Sequence, residues 1–294
     1  MKNKTLKSFL LILLCLSMLV TPQVALAEED GEITEVLHTA ENEVVDLRSE
    51  YSQTFQNPDG TFTAYIYTTP IFYRDADGEL TQIDNRIVRQ NDGSYTNAAN
   101  ELKVKFADIR EDGKAVSLSY KDYALAFSPQ NVNANVVEYT DQYEDLQLPE
   151  TIPEGNSVLY QNVYDNVDMS YTVSTRGVKE NIIIKSYTGK NAFSFDTEIN
   201  NLRYAINEYE DIIFVNEDGE SIFALGELYA VDANGYTTLN VQCMIEEKGE
   251  NKYVLTLVVD EEFLASAAYP VIVDPSYVVP LFGMATLDTF VANG

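Results

Sequence analysis

Alternation of apolar and polar side chains runs through the sequence and limits the fold more than any other feature. In Val167-Asp168-Met169-Ser170-Tyr171-Thr172-Val173-Ser174 every second side chain is apolar, the period of a strand with one apolar face and one wet face. Leu102-Lys103-Val104-Lys105-Phe106 repeats the pattern. So do Val116, Leu118 and Tyr120, then Tyr123, Leu125 and Phe127, and later Tyr253, Leu255, Leu257 and Val259. Between such runs stand Asn57-Pro58-Asp59-Gly60, Asp75-Ala76-Asp77-Gly78, Asn91-Asp92-Gly93, Glu111-Asp112-Gly113, Glu217-Asp218-Gly219 and Asp232-Ala233-Asn234-Gly235. Glycine accepts the positive φ of a tight hairpin, and Asp or Asn hydrogen-bonds the adjoining backbone. The chain therefore reads as all-β, an antiparallel meander closed into a β-sandwich.

Composition shifts divide the chain. Lys2, Lys4 and Lys7 form a basic head, Phe9 to Val20 an apolar run, and Ala25-Leu26-Ala27 a small-residue exit. Residues 1–27 are thus expected to be a secretory signal peptide, removed on export. The apolar run is shorter than the ~20 residues of a retained membrane helix. Residues 28–50 form a leader in which Val36, Leu37, Ala40, Val44, Val45 and Leu47 suit either a short amphipathic helix near 41–50 or extended chain. A first β-rich domain is expected over 51–140, an acidic, proline-containing linker over 141–156, and a second β-rich domain over 157–276. Residues 277–294 read as a linker and the start of a further domain. One long sandwich crossed by an excursion at 141–156 fits the same pattern.

Charge and reactive side chains bound the chemistry. With 47 Asp+Glu against 19 Lys+Arg the net charge is −28, a field that opposes phosphate contacts made by clustered cations. Nucleic acid is not expected as a partner, nor is stable membrane insertion after signal cleavage. Cys15 lies in the signal run, so Cys243 has no partner for an internal disulfide and reads as a small buried hydrophobe. The single histidine, His38, falls in the leader, which leaves no histidine-based nucleophile relay and no zinc cluster. Two acids across a groove suffice for a glycosidase, but spacing singles out no pair. Oxygen ligands for calcium stand at Asp75, Asp77 and Glu79, at Asp218 with Glu220, and at Asp232 with Asn234. None has EF-hand spacing, and each reads as a hairpin turn, so no cofactor is expected. Tyr65 and Tyr67 share a strand face that can stack on sugar rings, although the chain has no Trp. Lys103, Lys105, Lys179 and Lys185 lie on or beside strands, where an intramolecular isopeptide bond would need a lysine. The phase of Lys103 and Lys105 points them to solvent.

The expected function is a secreted, non-catalytic structural or interaction module of a cell-surface protein, not an enzyme. The alternatives are a carbohydrate- or peptidoglycan-binding module and a carboxylate-dependent glycosidase. Downstream domains or repeats of the same protein, and cell-wall glycans, are the expected partners.

Several segments in order carry a family resemblance. They are Tyr73-Arg74-Asp75-Ala76-Asp77-Gly78, Ile83-Asp84-Asn85, Asn97-Ala98-Ala99-Asn100, Gly177-Val178-Lys179-Glu180-Asn181-Ile182-Ile183-Ile184 and Tyr269-Pro270-Val271-Ile272-Val273-Asp274-Pro275. Together they resemble the β-rich N-terminal region of large secreted wall-associated proteins of Gram-positive bacteria. There this region precedes a DNRLRE domain and often RHS (YD) repeats, with toxin modules at the far end in some members. Leu287-Asp288-Thr289-Phe290-Val291 resembles the opening strand of the DNRLRE domain. The resemblance implies a secreted, wall-associated setting and supplies no catalytic residues for this region.

Overall fold

The computed structural model describes residue 39 and residues 41–110, 114–139 and 155–280. The chain divides into two units, residues 1–42 and 43–294. In the first, the Asn42 side chain accepts from the N–H and the hydroxyl of Thr39. The second carries the fold.

Antiparallel strands make up almost all of it. Hairpins β1 (Ser52–Gln56) with β2 (Phe62–Ile66) and β3 (Phe72–Arg74) with β4 (Leu80–Gln82) come first. Next, β5 (Asp84–Arg89), β6 (Tyr95–Ala99), β7 (Lys103–Phe106), β8 (Val116–Tyr120) and β9 (Tyr123–Pro129) run as a meander. A second meander follows in β10 (Val137–Tyr139), β11 (Ser157–Tyr164), β12 (Val167–Ser174) and β13 (Gly177–Ile184). The chain then returns to the first sheet in β14 (Ala192–Asn200) and to the second in β15 (Arg203–Ile206), β16 (Ile212–Val215), β17 (Ser221–Leu225), β18 (Tyr229–Val231) and β19 (Thr237–Thr238). Finally β20 (Val241–Gly249) and β21 (Lys252–Val259) join the first sheet. The short helix α1 (Glu261–Ser266) leads to β22 (Val271–Asp274) and β23 (Tyr277–Val278) in the second.

The first sheet has the order β20-β21-β14-β9-β8-β7-β6-β5, and the second runs β10-β11-β12-β13-β23-β17-β16-β15 with β22, β18 and β19 branching from β13. Strands on either side of residues 141–156 therefore share one sheet, with β9 paired to β14 so that Phe127 faces Thr197. The two β-rich halves read as successive domains are interleaved, because β14, β20 and β21 complete the sheet that β5 to β9 begin.

The apolar faces of the two sheets meet in one aromatic core. Phe127 stacks on Tyr277 at 4.7 Å between ring centroids, Phe106 lies 5.9 Å from Tyr171, and Tyr164 lies 5.9 Å from Phe193. Such pairs contribute roughly 0.5–1.5 kcal/mol each beyond their burial. Buried tyrosine hydroxyls need acceptors, and the second sheet finds them on the first: Tyr160 donates to the Ala107 carbonyl and Tyr164 to that of Gln130. Gly177 opens β13 where a Cβ would collide with the Tyr277 carbonyl, so only glycine lets β23 pair there.

Of the two alternatives for residues 41–50 the helix is not the one formed: Val45–Leu47 makes a single 3-10 turn, because Val44 donates its N–H to the Thr54 carbonyl and ties this stretch to β1. Two further features depart from the sequence reading. The face of β12 expected to be wet is closed, with Asp168 at 1% and Ser170 at 0% exposure. Its polar groups are paired instead, Asp168 with Lys185 at 2.8 Å and with the Asn162 N–H, and Ser170 with Asn181. A helix unforeseen in the sequence, α1, starts at Asp260, whose carboxylate accepts from the Glu262 N–H, as an N-cap does.

Candidate functional site

The cleft begins with turns. Hairpin ends from both sheets and the β3–β4 hairpin converge on a depression of about 450 Å³. Three cations line it: Arg74 at the end of β3, Lys121 in the β8–β9 turn and Arg176 in the β12–β13 turn. Tyr51, Tyr73 and Tyr120 stand among them, with Glu50 and Glu101 as the acids of the wall.

Each cation is positioned by backbone chemistry. Lys121 takes a left-handed φ of 54° to close the β8–β9 turn, which carries its ammonium to 5.0 Å over the Tyr120 ring. Arg176 donates through Nε to the Val279 carbonyl at 3.0 Å and through Nη2 to the Pro280 carbonyl. Arg74 donates to the Gly78 carbonyl at 2.8 Å and lies 3.9 Å from Glu50 with most of its side chain exposed. Asn100 crosses between the sheets, donating to the Thr175 carbonyl and to Asn85 at 3.0 Å each, and so fixes the cleft floor. Burial, then the Glu101 charge, raises the Tyr120 hydroxyl above its ordinary value and keeps it a donor. Beside the cleft, Lys103 lies 5.5 Å over the Tyr73 ring, and burial lowers its pKa. Cations interleaved with rings can hold anionic groups and planar ones together.

Two carboxyls titrate near neutrality. Glu138 is pushed up to about 7 by burial and then by Asp108, with Arg110 and Arg89 acting in the other direction. It stands beside the Tyr160 hydroxyl, and its Oε1 is buried with no hydrogen-bond partner among the described residues. A carboxyl in this range has the pKa of a general acid or base at neutral pH. Glu180 is pushed up to about 8, chiefly by burial and further by Asp274. It is sealed in the core, accepting from Tyr171 at 2.7 Å.

The residues singled out in the sequence scatter. His38 and the 287–291 segment lie outside the described residues, as do the signal peptide and residues 141–154 of the expected linker. Asp75 is spent on its turn, accepting from the N–H groups of Asp77 and Glu79 and from the Thr81 hydroxyl. Asp232 likewise accepts from Asn234, Tyr236 and Ala268, and Asn216 donates to Glu220 beside Asp218. Among the described residues no three His, Cys, Asp or Glu side chains converge as metal ligands. Tyr65 lies on β2 and Tyr67 just past its end, and Tyr65 meets the Phe55 ring edge at 5.7 Å. Lys105 is exposed and paired with Asp92, and Lys179 pairs with Asp274 at 3.2 Å. Cys243 is partly buried, and burial lifts its thiol to about 12. Arg74, Lys121 and Arg176 escaped the sequence reading. The available signal was three cations placed in or beside turns of a chain poor in cations.

Comparison with known proteins bears on this geometry. The tRNA nuclease WapA of Bacillus subtilis (strain 168) is 22% identical over 265 residues, 86% of this chain and 11% of that protein. The tRNA3(Ser)-specific nuclease WapA of Bacillus spizizenii matches with the same identity and coverage. A Wall-associated protein of Geobacillus stearothermophilus is 23% identical over 195 residues, 65% of this chain and 75% of that protein. The chain thus spans about a tenth of the nuclease relatives' length. No family profile matches it, and no solved structure matches it.

These relatives make the chain a homologue of wall-associated proteins and correct three expectations. The relatives' names overturn the non-catalytic reading and the statement that the chain is not an enzyme. They also overturn the exclusion of nucleic acid. The physical reason is that net charge averages over the whole chain, whereas phosphate contacts depend on local cations, so −28 alone excludes no such contact. The secreted, wall-associated localisation agrees with the relatives. No helix among the described residues is long and apolar enough to cross a membrane.

Proposed function

We propose that this chain is the exported, wall-associated β-sandwich region of a protein that, at full length, acts as a tRNA nuclease. The observation that carries the reading is similarity across 86% of the chain to proteins named as such nucleases. The finer setting belongs to the same proposal: a signal peptide over residues 1–27, then the sandwich, then a DNRLRE domain and RHS repeats. The basic head, apolar run and Ala25-Leu26-Ala27 exit support the first part. The ordered segments from Tyr73 to Pro275 support the rest.

Within this reading the cleft is the part of the sandwich suited to phosphate-bearing chains. Arg74 and Lys121 offer charge, and Tyr73 and Tyr120 offer rings. The test deletes residues 43–280 from the full-length protein in its producing bacterium. The wall fraction is expected to lose the protein, and tRNA in co-cultured cells is expected to survive. A deleted protein that stays on the wall and still depletes tRNA would refute the proposal.

A further inference from the structure

Lys179 and Asp274 meet on the second sheet as a nearly closed pair. Nζ of Lys179 lies 3.2 Å from Oδ2 of Asp274, with 20% and 6% of the two side chains exposed. The strands that carry them are neighbours: β13 pairs with β22 through Ile182 opposite Val273, and with β23 through Val178 opposite Tyr277. Both pairings keep one register, which sets Asn181 opposite Asp274 and Lys179 opposite Ser276. Lys179 and Asn181, two residues apart, share a face of β13. On the other side of Asp274 stands Tyr229 of β18, whose hydroxyl Lys179 also reaches at 3.4 Å.

This arrangement leaves one polar atom unmatched. Asn181 is 3% exposed, and its Nδ2 donates to the Ser170 hydroxyl on β12 at 3.4 Å, while its Oδ1 is buried with no hydrogen-bond partner. With Nδ2 directed to β12, Oδ1 is directed to the β22 side, where the Asp274 carboxylate is a second acceptor and offers it nothing. A buried acceptor without a donor is destabilising, and so is an ion pair taken out of water. A neutral N–H donor between Lys179 and Asp274 would relieve both.

We propose that Lys179 and Asp274 condense to an intramolecular isopeptide bond. The lysine ammonium passes a proton to Oδ2, and the freed amine attacks Cγ. Oδ2 then takes a second proton from the nitrogen and leaves as water, so that the new Cγ–N bond keeps one hydrogen on nitrogen. The Ser276 hydroxyl donates to Oδ1 at 2.6 Å and stabilises the negative charge that develops on the oxygen that stays. The product exchanges a buried ion pair for an amide whose N–H is offered to Asn181. It also ties β13 to β22 covalently in a body whose Cys243 is free and forms no disulfide.

Mass spectrometry of the folded full chain tests this, first intact and then after trypsin. The chain is expected to weigh one water less than its composition requires. Trypsin is expected to release one branched peptide that joins residues 177–185, uncut at Lys179, to the peptide that starts at Tyr253. A cyclic imide at Asp274 would show the same loss of mass, but it needs the N–H of the next residue, which Pro275 lacks. Lys179→Arg keeps the ion pair and removes the nucleophile, since a guanidinium stays charged, and is expected to fold and to carry the full mass. Full mass in the folded wild-type chain with both side chains recovered unmodified, or a loss of water that persists in Lys179→Arg, would overturn the proposal.

Discussion

The seam between the two sheets and the β1–β2 hairpin are written in the same alternating pattern and end in opposite environments. At the seam Phe106, Phe127, Tyr160 and Tyr171 have no solvent exposure, because each apolar face meets another. On β2 the same period leaves Phe62 and Ile66 largely in water, because no described element covers that side. Alternation fixes which side chains share a face, and the fate of that face is decided by a second layer.

The contrast is sharpest at Glu180, a carboxyl inside the seam. Its ordinary value of 4.5 rises to about 8 on burial, so the folded chain holds a proton that the unfolded chain releases between those pH values. The stability tied to this proton is complete below pH 4.5. It falls as pH rises through the window, by on the order of 5 kcal/mol, and is level above about 8. Urea midpoints measured across that window should show the fall, and Glu180→Gln should flatten it. An unchanged slope in the variant would mean that the carboxyl is not sealed. Phe127→Ala, in contact with Tyr171, Phe195 and Tyr277, is expected to cost about 3–5 kcal/mol in the same titration.

The hairpin should respond far less. Asn57 donates to the Thr61 and Thr63 hydroxyls, and Asn57→Ala is expected to cost about 1 kcal/mol, seen as faster amide exchange confined to β1 and β2. Ile66→Thr, at a side chain already in water, is expected to shift global stability by no more than about 0.5 kcal/mol. A loss at Ile66 as large as that at Phe127 would erase the distinction between the two regions.

What the sequence revealed follows the same line. Local terms were legible: β7, β8, β9, β12 and β21 fall on the alternating runs, and Gly60 and Gly78 take the positive φ that their turns require. The α1 start was missed, although Asp260-Glu261-Glu262 carries the signature of a cap with an acidic first turn. Non-local terms were hidden. Nothing in the segments around Phe127 and Thr197 says that they pair, and Asp168 reads as a wet-face residue until Lys185 is placed beside it. The cleft was hidden for the same reason, since Arg74, Lys121 and Arg176 come from three separate turns. The nucleic-acid expectation failed because −28 describes the chain as a whole.

The interleaving of the two halves joins the two sheets in one body. The most direct measurement places a protease site within residues 141–154, cuts the folded chain there and passes it over a sizing column. The two pieces should elute together with their aromatic circular dichroism unchanged, because β9 holds β14 and the seam holds both sheets. Pieces that separate, each keeping a cooperative unfolding transition of its own, would contradict the shared core.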